Sequence, residues 1–114
     1  HYITIDIKLM DSTDGITSDE GKAKLKSGID FAKNNRLDRA CELWGEARTM
    51  STASPSLLYN LGVCSETTGD SEQALDLYKK ADKLLLKPDD RVTVALNRVK
   101  QRIMNQKKLQ EQTK

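Results

Sequence analysis

The sequence predicts an all-helical domain entered through one short β-strand. Three observations carry that expectation. Apolar residues recur at spacings of three and four through most of the chain, helix-start and helix-stop residues bracket five such segments, and the segments repeat at an offset of 34 residues. With 114 residues, 37% hydrophobic and 32% charged, the chain suits one domain with a modest core. Aromatics are confined to Phe31, Trp44, Tyr2, Tyr59 and Tyr78, which weighs against a β-sandwich.

The strand is expected over residues 2–10, where Ile3, Ile5, Ile7 and Leu9 alternate with Thr4, Asp6 and Lys8. It runs into Asp11-Ser12-Thr13-Asp14-Gly15, a turn signal. A lone strand leaves its backbone groups unpaired, so it needs a partner edge, either elsewhere in a longer chain or in a second copy. The abrupt opening at His1 reads as the continuation of a longer protein, so the lack of a visible signal peptide decides nothing. Residues 1–17 are therefore expected to form a strand and turn that close a preceding domain, residues 18–104 the helical domain, and residues 105–114 a polar basic tail.

Ser18 is placed to cap the first helix, with Asp19 and Glu20 in its first turn, and Asn34-Asn35 suits a left-handed stop. The second helix runs from about Leu37 to Met50. Ser54-Pro55 restarts the chain into a third, which ends at Gly69. Asp70 caps the fourth, with Gln73 in capping-box position, and Pro88 ends it. The fifth carries Val92, Ala95, Leu96, Val99 and Ile103 on one stripe and turns polar after Met104, where an exposed or fraying end is expected. Cys41 and Cys64 lack metal-ligand spacing and read as free, buried, small hydrophobes.

The offset of 34 residues places Gly28 on Gly62, Asn35 on Gly69, Ala40 on Ala74, Leu43 on Leu77, Trp44 on Tyr78 and Ala47 on Ala81. The glycine is expected to let paired helices approach, and the aromatic to fill the space between successive hairpins. On these residues, together with Leu58-Tyr59-Asn60-Leu61-Gly62, the chain resembles the tetratricopeptide-repeat (TPR) family. The likeness spans about 19–104, with one good repeat, one degenerate repeat from Gly21 to Ser54, and the last helix as a cap. Lys24 and Ser27 depart from the pattern by standing where apolar residues are usual.

The resemblance implies a protein-interaction module that docks a peptide or partner domain in a concave groove. The groove residues it implies are Leu25, Ile29, Lys33, Tyr59, Asn60, Val63 and Thr67, with Lys22, Asn97 and Lys100 beside them. Leu25, Ile29, Asp90 and Val94 stand where chaperone-tail clamps carry basic and Asn side chains, which argues against that ligand. A second reading is a structural domain that packs on the rest of its own chain. The strand and acidic turn are similar to endings found in bacterial envelope lipoproteins and outer-membrane assembly proteins, which leans the expected location toward the envelope or periplasm.

Enzyme chemistry is not expected. The single histidine is His1, and neither a phosphate loop nor a metal set appears. No cofactor or metal is implied, and no run is long enough for a membrane span. Residues 98–114 hold six Lys or Arg against Glu111 alone, but no aromatics are interleaved to stack on bases. Nucleic-acid binding through this tail is therefore the distant alternative, and self-association through the strand is a further expectation.

Overall fold

The structure is a computed structural model that describes residues 8–112. Among these residues the chain forms helices α1 (Asp19–Lys33), α2 (Leu37–Met50), α3 (Pro55–Thr67), α4 (Ser71–Leu84) and α5 (Asp90–Gln112). Each helix packs on the next, so α1/α2 and α3/α4 are two hairpins and α5 lies against α4.

The starts of three helices are set by side chains. Ser18 Oγ accepts from Gly21 N–H, Ser54 Oγ from Leu57 N–H, and Asp70 Oδ1 from Gln73 N–H, each satisfying a donor that has no partner within the helix. Two stops need positive φ: Asn35 at 62° after α1, and Gly69 at 86° after α3. At the second stop Asp70 N–H returns to the Ser65 carbonyl and Gly69 N–H to that of Glu66, which closes α3 and turns the chain into α4.

Two apolar clusters follow the two halves. One joins Ile16, Leu25, Ile29, Ala40, Trp44, Ala47 and Leu57. The other joins Met10 with Leu58, Tyr59 and Val63 of α3, Leu77 and Tyr78 of α4, and Val92, Ala95, Val99 and Ile103 of α5. The aromatic–glycine pairs work inside each hairpin, where the repeat pattern suggested a role between hairpins. A Cβ on Gly28 would overlap the Trp44 indole, and one on Gly62 would overlap the Tyr78 ring. Trp44, fully buried, also donates Nε1–H to the Leu25 carbonyl at 3.1 Å. Both hairpins therefore use one device: a missing side chain on the first helix receives a ring from the second.

The expected N-terminal β-strand is not present among the described residues, which form five helices. The part of that expectation resting on residues 1–7 lies outside them. Residues 8–10 are irregular, and their burial rises along the chain instead of alternating. Met10 is the buried residue at 3% exposure, whereas Leu9, on the face assigned to the interior, is half-buried and Lys8 is exposed. The physical reason lies in the partners: side chains of α3 and α5 take the backbone groups that a sheet ladder would have used.

Cys41 and Cys64 are a second correction. They are not free, but form a disulfide between α2 and α3, with Cα atoms 6.0 Å apart and a sequence separation of 23. Both are half-buried on the facing sides of these helices. The tail keeps helical form as far as Gln112, while residues 104–112 are all exposed. Among the described residues no helix is long and apolar enough to cross a membrane.

Candidate functional site

Tyr59 and Asn60 lie side by side near the middle of α3, and both are buried although each carries a polar group. Such groups are costly in a core unless they are paired. Asn60, with no exposure at all, uses both ends of its amide on one residue. Met10 N–H donates to Oδ1 at 2.9 Å, and Nδ2 donates to the Met10 carbonyl at 2.9 Å. The Tyr59 hydroxyl donates to the Lys8 carbonyl at 2.7 Å, and Arg91 Nη1 to that of Leu9 at 3.2 Å. Three successive carbonyls and one N–H of segment 8–10 are thus held by side chains from α3 and the first turn of α5.

The holding groups are themselves held. Asp89 accepts from Arg91 Nε at 3.1 Å and Nη2 at 2.8 Å, fixing the guanidinium plane beside the segment. This pairing holds the Asp89 carboxyl below its ordinary range and raises Arg91. The Tyr59 ring sits 5.4 Å from that of Tyr78, centroid to centroid. Burial pushes the Tyr59 phenol above its usual value, outweighing the Arg98 and Arg91 charges, so it stays a protonated donor at neutral pH.

Behind this face lies a charged cluster. Glu66, near the end of α3 with its side chain 4% exposed, accepts from the Tyr78 hydroxyl at 2.7 Å and from Arg98 Nε and Nη2 at 2.7 and 2.8 Å. Arg102 Nη1 adds a bond at 3.2 Å. Burial works to raise the Glu66 carboxyl, but the Arg98 and Tyr78 hydrogen bonds and the arginine charges outweigh it and leave it lowered. Burial, then the neighbouring carboxylate, pushes the Tyr78 phenol far upward. The cluster ties α3, α4 and α5 together beneath the Tyr59–Asn60 face.

The residues expected to line a groove separate into four groups. Tyr59, Asn60 and Val63 meet the segment 8–10 or belong to the cluster that buries Met10. Leu25 and Ile29 are core residues of the first hairpin, packed with Ile16 and Trp44. Lys33 is exposed and lines an open cleft of about 340 Å³ with Asp11, Lys26, Ile29 and Asp30. Thr67 turns back on its own helix, its hydroxyl donating to the Cys64 carbonyl at 2.7 Å. Of the flanking positions, Asn97 and Lys100 are exposed on α5 and Lys22 is half-buried on α1.

Sequence reasoning missed Met10 and Arg91. Arg91 carried a usable signal, because Asp89-Asp90-Arg91 opens a helix directly after Pro88 and so fixes an arginine at a defined position. Met10 carried none beyond its hydrophobicity. Neither a scan against protein-family models nor a search of curated proteins finds a match for this chain.

Proposed function

We propose that this chain is a TPR-type interaction domain whose groove grips extended polypeptide, and that its standing occupant is the chain's own segment 8–10. The observation that carries this reading is the Asn60 amide bonded to both the N–H and the carbonyl of Met10, an arrangement that recognises backbone. The repeat of glycine–aromatic hairpins supports the TPR-type assignment. In this reading the domain is a cis clamp: it fixes the segment that leads into it and does no chemistry. The Cys41–Cys64 disulfide supports an oxidising compartment, which accords with an envelope or periplasmic location.

Hydrogen exchange at the Met10 amide tests the clamp. Asn60→Ala removes two hydrogen bonds, worth roughly 1 kcal/mol each, so the Met10 amide should exchange about 10- to 100-fold faster while the Trp44 hairpin keeps its protection. Unchanged protection at Met10 in a folded Asn60→Ala protein would refute it.

A further inference from the structure

We infer that segment 8–10 is an intramolecular competitor, and that the face it covers binds in trans an extended peptide carrying a long, unbranched apolar side chain. The inference rests on the cis-clamp reading above and adds to it a ligand class and a form of control.

The first ground is what the site reads. Among the described residues, each hydrogen bond to residues 8–10 goes to backbone: the carbonyls of Lys8, Leu9 and Met10 and the N–H of Met10. Any extended peptide presents those groups. One side chain is selected, because Met10 is buried while Lys8 is exposed and Leu9 is half-buried. The position it fills lies in the apolar cluster of α3, α4 and α5, which suits methionine-like chains and would reject a charge.

The second ground is that the face stays built when the segment leaves. Asp89 holds Arg91, the Tyr78 ring supports Tyr59, and both are independent of residues 8–10. A preorganised face loses little in ordering when it takes a new ligand.

The third ground is a hinge. Asp11, Ser12 and Asp14 are exposed and Thr13 is half-buried, and the next anchors are Gly15, whose backbone lies against that of Ala53, and Ile16, buried against the first hairpin at 4% exposure. Residues 8–10 can therefore lift away without unwinding a helix. So short a tether keeps the cis segment at an effective concentration on the order of millimolar or more, and this lowers the apparent affinity for a free peptide in proportion.

The test uses a fluorescent peptide of residues 8–13, Lys-Leu-Met-Asp-Ser-Thr, read by polarisation against the full chain. Met10→Asp, which should expel the cis segment, is expected to bind the peptide at least about tenfold more tightly than the native chain. Adding Asn60→Ala should remove that binding, as should serine in place of methionine in the peptide. Met10→Gly, which only deletes the side chain, serves as a second and milder variant. Hydrogen exchange at the residue 10 amide is followed in parallel. Exchange that becomes fast with no gain in peptide binding overturns the competitor and leaves the cis clamp standing. Protection that persists in both variants shows that the Met10 side chain is not what the face selects and overturns the inference, whereas the clamp itself fails only if Asn60→Ala leaves the Met10 amide protected. Peptide binding indifferent to Asn60→Ala also overturns the inference.

Discussion

Replacing Glu66 with alanine strikes the point where three helices are tied. The substitution removes four hydrogen bonds at once, one from Tyr78, two from Arg98 and one from Arg102. It strands the buried Tyr78 hydroxyl, at a cost of about 1–3 kcal/mol for an unsatisfied buried group. Breaking a fully buried ion pair costs about 3–5 kcal/mol. The arginines here are 25% and 38% exposed, so water recovers much of that energy. The two effects together give about 3 kcal/mol, measured by urea unfolding followed by circular dichroism at neutral pH. Glu66→Gln keeps an acceptor and should cost roughly half as much. The pH dependence has a definite sign. The folded carboxyl lies below its unfolded value, so its contribution is complete above the ordinary carboxylate range and is lost as pH falls through the folded value. The native protein should therefore lose stability more steeply than Glu66→Gln between about pH 5 and pH 3. An alanine variant within about 0.5 kcal/mol of native, or identical pH slopes, would refute the picture of a buried, charge-paired carboxylate.

Reduction of Cys41–Cys64, which closes a loop of 23 residues' separation, should cost about 3 kcal/mol by the chain-entropy relation. It is read as a lower urea midpoint with reductant, and thiol titration should find no reactive thiol before reduction. Gly28→Ala forces a methyl into the Trp44 indole and should destabilise by about 1–3 kcal/mol despite its better helix propensity. Gly45→Ala is the control: a Cβ there meets nothing within 4 Å, so it should stabilise by about 0.5–1 kcal/mol in the same unfolding assay.

Local chemistry was legible in the sequence wherever it acts over a few residues. Ser18, Ser54 and Asp70 announce their helices because a cap and its N–H lie three residues apart. The Gly28–Trp44 and Gly62–Tyr78 correspondence was visible as a repeat, but which helix each ring would meet depends on packing. Tyr59, Asn60 and Val63 could be picked out as a polar and apolar face. Their occupant could not, because Met10 lies 50 residues from Asn60 and an alternating run gives no hint that side chains will satisfy its backbone. The same limit hid the disulfide: spacing does not tell how α2 and α3 rotate against each other, and that rotation decides whether two sulfurs meet.

The bridge between Cys41 and Cys64 also changes what a protease can do. The connection between α2 and α3 lies inside the ring it closes, and Thr52 and Ala53 are exposed there. One cut at that point severs the polypeptide and leaves the molecule in one covalent piece. Each half keeps its own glycine–aromatic lock, Gly28 with Trp44 on one side of the nick and Gly62 with Tyr78 on the other. A nicked chain of this kind would migrate as a single species on a denaturing gel until thiol is added and would then fall into two.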